Sequence, residues 1–490
     1  TIDRYHHSGR SFNSNGEEQI SIMWRLNSIM RILFYALLII FSLHQLSRWY
    51  SSDNESTEDC PSCSYPPIAN ELCQFLEHSV KGSEGSIDSN EYKLKGITVV
   101  FRHGERSPII DSNLSSHSDC VPFRDSDRKR FEEYRSIIDS DQFNSFIKVD
   151  DMFKNWKRYP ERSKCVTSMM TAEGALQHSR LGVFFRRHYE NTNLFNEENR
   201  LKVMVTSSNY VRTFQSAIAF LSSFLFPMKG FVDQVFIKGT NMTYLCADEH
   251  CKCDIAPTWR AKYEEEHLNF FLSSSPLELR EKAQRIFGGM EISNNSKDPF
   301  QMLDVMLGRY VCRRSSLPCT PNGECVSYEL LQELIDETSR RSRVMYESND
   351  KSISKRLQLA EAQAVLGYVD DMGERLKQFP HTNIIKIFSG HDSTVAPILR
   401  ALDLPFIDFP HYASRITFEI YHNMHSEEFI RILYNGDDRT PELPFCQGKD
   451  LCPLSTFSQY IRSGLFNSIG FSNKSQLCDP SLISNYNVYV

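Results

Sequence analysis

Arg102-His103-Gly104-Glu105-Arg106-Ser107-Pro108 places two guanidinium groups beside one imidazole. Cations next to a histidine discourage its protonation, so the cluster makes chemical sense around a dianion. Arginine forks match phosphate oxygens in a bidentate manner. A neutral imidazole beside a bound phosphate can attack phosphorus and form a phosphohistidine. Two further pieces lie far downstream. Arg212 follows Ser207-Ser208-Asn209-Tyr210-Val211, and His391-Asp392 follows Ser389-Gly390. The bland alternatives are a basic surface turn for the first cluster, a surface ion pair for Arg212 and a satisfied buried histidine for His391.

Each piece sits at the end of an apolar run. Ile97–Phe101 reads as a short buried strand, as do 201–206 and Asn383–Phe388 (NIIKIF). Helices are expected after the last two, and from Thr171-Ala172-Glu173-Gly174 to about Tyr189, with Thr171 as N-cap. In open α/β sheets ligands collect at the carboxyl ends of strands, so three such ends define one expected site. Three arginines carry about +3, and a phosphate monoester of close to −2 largely balances them. The expected roles are His103 as nucleophile, Asp392 as proton donor, and Arg102, Arg106, Arg212 and His391 as phosphate ligands. No metal or other cofactor is called for, since no carboxylate cluster argues for one.

The 490 residues suffice for one large enzyme domain with insertions, and a net charge of −7 gives no support to a nucleic-acid partner. Residues 1–31 read as a cytoplasmic tail, with the native start left open at Met23 or Met30. The apolar stretch 32–46 reads as a transmembrane signal anchor, preceded by Arg25 and Arg31. All 14 cysteines and the sequons at Asn54, Asn113, Asn241, Asn294 and Asn473 fall after it, the pattern of a disulfide-bonded lumenal glycoprotein. Residues 47–91 are expected as a lumenal stem, in which Cys60-x-x-Cys63 is read as a structural disulfide. The domain follows over 92–480. It carries a polar excursion at about 109–164 and a helical, cysteine-bearing insertion at about 228–350. Two antiparallel strands are expected at 416–421 and 429–434.

Arg102-His103-Gly104-x-Arg106-x-Pro108 with a distant His391-Asp392 resembles the histidine acid phosphatase family. Arg212-Thr213 and Thr171-x-x-Gly174 resemble further family positions. The resemblance, spanning about Lys93 to Cys446, implies the α/β histidine phosphatase fold. That fold is a central, mostly parallel sheet flanked by helices, here with a mainly helical inserted cap. It implies a phosphoric monoester hydrolase. Glu105 departs from the family pattern, in which an aspartate is expected. The anchor, Arg212–Ser216, Leu317-Pro318-Cys319-Thr320 and Arg431–Gly436 resemble one particular branch. Its members remove the 2-phosphate from xylose in the glycosaminoglycan linkage region of proteoglycans. That branch implies a single-pass type II Golgi membrane protein whose partner is the phosphorylated linkage oligosaccharide on proteoglycan core proteins. The alternatives are a broad-specificity lumenal or surface acid phosphatase and a non-catalytic phosphosugar-binding protein.

Overall fold

The computed structural model describes residues 67–482, apart from 88–89, 110–123, 161–165, 197, 228–231, 233, 247–250, 275, 289–298, 315, 321, 348–352 and 406. The expected anchor, Cys60-x-x-Cys63, Asn54, Asn113 and Asn294 lie outside the described residues. Among the described residues no helix is long and apolar enough to cross a membrane.

A single mixed sheet organises the domain. Its strands are β1 (Tyr92–Arg102), β2 (Ile147–Val149), β3 (Arg200–Ser208), β4 (Val235–Thr240), β5 (Thr382–Gly390), β6 (Arg415–Asn423), β7 (Glu428–Tyr434), β8 (Asp437–Asp438) and β9 (Cys452–Pro453). The order is β2-β4-β3-β5-β1-β6-β7-β8, with β9 paired to β7. Pairing is parallel from β2 to β1 and antiparallel from β1 onward. The central strands are covered on both faces, which is why β1 and β5 read as continuous apolar runs. Ile97, Val99 and Phe101 face one core with Ile385 and Ile387, while Val100 faces the other with Ile384 and Phe388. Helices α1 (Ala172–Tyr189) and α2 (Val211–Phe224) cover the first face, and α3 (Ile353–Gln378) and α4 (Asp392–Ala401) the second. Thr171 caps α1 by accepting from the Gly174 N–H at 3.1 Å.

Three segments differ from expectation. From Pro67 on, the expected stem is part of the packed body. Helix Pro67–Cys73 is tied to the insertion by Cys73–Cys312, Leu76 enters the core, and Glu84 is fully buried against Arg415 at 2.6 Å. The two expected excursions each return a strand, β2 and β4, to the parallel edge of the sheet. β2 buries only Ile147 of its three residues, too short a period to be read locally. Much of the described remainder of the second excursion is helical, and residues from Leu279 to Ile335 form a separate core that also takes in Ala69, Cys73 and Tyr412. Further disulfides, Cys246–Cys251, Cys253–Cys478, Cys319–Cys325 and Cys446–Cys452, fasten the described residues. Asn241 and Asn473 are exposed.

Candidate active site

Adjacent strands β3, β5 and β1 end side by side. Arg102 pairs in register with Gly390, and the His103 N–H donates to the Gly390 carbonyl at 2.9 Å. His103 therefore leaves the sheet next to His391, the N-cap of α4, and their rings lie 5.5 Å apart, edge to face. Arg212 enters from the first turn of α2, just beyond the end of β3. All six expected site residues thus come from three neighbouring strand ends, as open sheets favour.

The loop 103–108 is held flat against the start of α1. Thr171 N–H donates to Glu105 O, and Ser107 N–H to Met169 O, both at 2.9 Å. Two glycines allow this approach. A Cβ on Gly104 would fall 2.2 Å from Gly174 O, and one on Gly174 would fall 2.3 Å from Glu105 O. The Gly104 N–H donates to Ser216 Oγ, and Ser168, strained at φ +68°, donates its N–H to Pro108 O.

His103 is buried, and its Nδ1 lies 2.8 Å from Gly104 O. Nδ1 must donate there, which leaves the Nε2 lone pair free. Burial, followed by the charges of Arg212 and Arg102, holds its pKa well below the ordinary imidazole value, so the ring is neutral.

Each arginine is braced by protein groups. Arg102 donates to Pro410 O at 2.6 Å and reaches Asp392 at 3.3 Å, with its guanidinium between the rings of Phe409 (4.8 Å) and Tyr412 (4.4 Å). Arg106 makes a bidentate pair with Asp304, at 2.8 and 3.3 Å. Arg212 donates to Ser168 Oγ at 2.8 Å and lies over the Tyr210 ring. Burial, then Arg106, lowers the Arg212 pKa to about 10. In all three the Nε is buried without a hydrogen-bond partner. Orphaned buried donors of this kind call for an acceptor, and an anion with several oxygens suits them.

His391, expected to hydrogen-bond a phosphate oxygen, is engaged by protein groups in the free site. Its Nδ1 accepts from Arg212 at 3.4 Å, and its Nε2 donates to Ser208 Oγ at 2.8 Å, which in turn meets Thr213. Burial, then Arg212, depresses its pKa to about 3. Asp392 is a quarter exposed, and its carboxylate accepts from the Ser393 N–H at 2.7 Å. Burial raises its pKa, but Arg102, His391 and Arg106 together outweigh that and hold it below the ordinary value. Among the described residues no group of three or more His, Cys, Asp or Glu gathers in a metal-binding set.

Sequence reasoning did not find Asp304, Phe409, Tyr412 or Ser168. None lies in a local pattern with the residue it braces, and Asp304 is 198 positions from Arg106.

Residues 93–255 match the Histidine phosphatase superfamily (branch 2). Relatives include the 2-phosphoxylose phosphatase 1 of Xenopus tropicalis, 25% identical over 434 residues, covering 84% of this chain and 83% of the relative. The Homo sapiens protein of the same name is 26% identical over 435 residues, with the same coverage. Among solved structures, the phytase from D. castellii aligns with a TM-score of 0.46 at 16% identity, over 82% of this chain and 85% of that one. The chain carries a branch 2 histidine phosphatase domain and is a phosphoric monoester hydrolase.

Proposed function

We propose that this hydrolase removes the 2-phosphate from xylose in the glycosaminoglycan–protein linkage region, through a phosphohistidine on His103. The observation that carries the chemistry is the pairing of a neutral, Nδ1-anchored imidazole with three guanidinium groups whose Nε donors have no partner. The choice of sugar is supported by the name of the relatives, 2-phosphoxylose phosphatase 1. The same likeness supports a Golgi location with the domain lumenal.

In the first step His103 Nε2 attacks phosphorus, forming the P–N bond as the P–O bond to the sugar breaks. Arg102, Arg106 and Arg212 hold the equatorial oxygens while charge redistributes, most of what phosphoryl transfer asks of a protein. Asp392 gives its proton to the departing sugar oxygen. The free site holds Asp392 ionised; the bound dianion offsets the arginines and raises the carboxyl pKa, so Asp392 takes up a proton from solvent as substrate binds. In the second step water attacks phosphorus, Asp392 takes the proton, and the P–N bond breaks. His391 Nδ1 accepts from Arg212 in the free site; a bond to phosphate would replace that contact with the ring proton moved to Nδ1 and Ser208 Oγ donating to Nε2.

The deciding assay compares phosphate release from a phosphoxylose-containing linkage oligosaccharide and from p-nitrophenyl phosphate at mildly acid pH. A clear preference in kcat/KM for the oligosaccharide is expected. Equal rates would refute the sugar assignment and leave a broad acid phosphatase.

A further inference from the structure

The helical insertion reaches back to the catalytic loop at three points. Helix Pro299–Met306 presents Asp304, whose two oxygens take both terminal nitrogens of Arg106. The same carboxylate accepts the Ile109 N–H at 2.7 Å, so it fixes both ends of the Arg106–Ile109 stretch. The next turn, Leu307–Val311, is a π-helix, a rare distortion often found at functional sites. It lays Gly308 on the loop so closely that a Cβ there would stand 3.0 Å from Pro108 Cδ and 3.2 Å from Arg106 O. Just past it, Arg313 inserts one guanidinium nitrogen between Glu105 and Glu173, 3.2 Å from Glu105 Oε1. Thr171 Oγ donates to that same Glu105 oxygen at 3.1 Å. Arg313 adjoins Cys312, which is anchored to helix Pro67–Cys73 by its disulfide.

We propose that this segment supplies two positioning residues for phosphoryl transfer. Asp304 sets the orientation of Arg106, and Arg313 holds Glu105, so the dipeptide beside His103 and Gly104 is gripped from the insertion. Neither group touches the reacting atoms. The proposal rests on the phosphatase reading of His103 and adds a function for the insertion. It also accounts for Glu105. A glutamate reaches from the loop to Arg313, whereas the shorter aspartate would fall short by about one methylene, roughly 1.5 Å.

Burial raises the Glu105 pKa, and Glu173 adds to it, while Arg313 pulls it down. The net effect is upward, to about 8, so the Arg313 guanidinium moderates the rise without cancelling it and bridges the two carboxyl groups by geometry. Arg106 is raised by Tyr412 and Asp304 against the opposing effect of burial, so its charge is retained beside Arg102 and Arg212.

The test is kinetic and uses the whole chain. Asp304→Asn keeps the shape but presents one acceptor oxygen where two stood, and removes a negative charge from the cup. The expected result is a kcat, per site that can be trapped as phosphoenzyme, about tenfold lower, with inorganic phosphate inhibiting several-fold more tightly because a nearby anion is gone. Gly308→Ala should lower kcat without changing net charge, so phosphate inhibition should not tighten. For Glu105, Arg313→Met should lower kcat and Arg313→Lys should restore part of it. Glu337→Gln is the control, because it weakens a buried pair with Arg341 in the same insertion without removing a bond to Glu105 or Arg106. If the Asp304 and Gly308 variants match this control in kcat per site and in phosphate inhibition, the proposal is wrong. A His103→Ala protein that still hydrolysed p-nitrophenyl phosphate would instead overturn the underlying reading.

Discussion

Buried arginines gather in two places, and the two differ in how their charge is answered. In the packed body, Arg415 and Arg431 meet Glu84, Glu419 and Asp438, with Arg431 also donating to Ser83 O and Ser83 Oγ. Glu419 gains hydroxyl donors from Tyr189 at 2.6 Å and Tyr421 at 2.7 Å. Carboxylates there outnumber guanidiniums, and the Nε of each arginine has a carboxylate acceptor, although Glu84 Oε2 is buried without a partner. In the cup, the carboxylates that Arg102, Arg106 and Arg212 meet among the described residues are Asp392 and Asp304, and three Nε donors have no partner. A network whose guanidinium Nε donors are paired stabilises a conformation. An unsaturated one, held rigid by the same kinds of contact, is prepared for a ligand.

The largest effect should separate chemistry from binding within the cup. His103→Ala removes the nucleophile and leaves the guanidiniums in place. Hydrolysis of p-nitrophenyl phosphate should fall by at least about 10⁴-fold, while inorganic phosphate still binds. Acid-quenched wild-type enzyme should carry labelled phosphate on histidine, and the variant none. Retained labelling would break the contrast, because the anion site would then serve another nucleophile.

The network of the packed body should respond in the opposite way. Arg431→Met leaves Glu419 buried without its cation, and breaking such a pair costs roughly 3–5 kcal/mol. Denaturant unfolding should show that loss, and the protein that remains folded should keep its KM. A changed KM with intact stability would mean that the two arginine clusters are coupled.

How far this contrast can be read from sequence depends on locality. Ile97–Phe101 and Asn383–Phe388 are legible because strands buried on both faces show as unbroken apolar runs, and each ends in its own chemistry. Thr171 is legible because a helix start needs an acceptor for its free N–H groups. The bracing of the cup is not legible. Phe409 and Tyr412 hold Arg102 from an irregular loop, and Asp304 and Arg313 return to the motif after about 200 residues without any periodic signal. The segment 67–87 looks like a polar stem because its burial rests on scattered residues, Ala69, Cys73, Leu76 and Glu84, rather than on a long apolar run. His391 was legible as a site residue, but its engagement with Arg212 and Ser208 depends on neighbours that a linear reading cannot place.

The smallest expected effect is a shift along the pH axis. An unanswered guanidinium should hold a neighbouring imidazole neutral, and Arg212 is the first charge, after burial, that lowers the His103 pKa. Arg212→Gln removes that charge but not the burial. The His103 pKa should therefore rise while staying below its ordinary value. Protonated imidazole is not a nucleophile, so the acid limb of phosphohistidine formation should move to higher pH, by on the order of one unit. Rapid-quench labelling across the acid range reads this limb directly, apart from weaker substrate binding if phosphate ester is kept saturating. His391, also depressed by Arg212, moves in the same direction and cannot reverse the sign. An acid limb that stays in place or moves down would show that burial alone keeps His103 neutral. The excess of positive charge would then serve only to hold the anion.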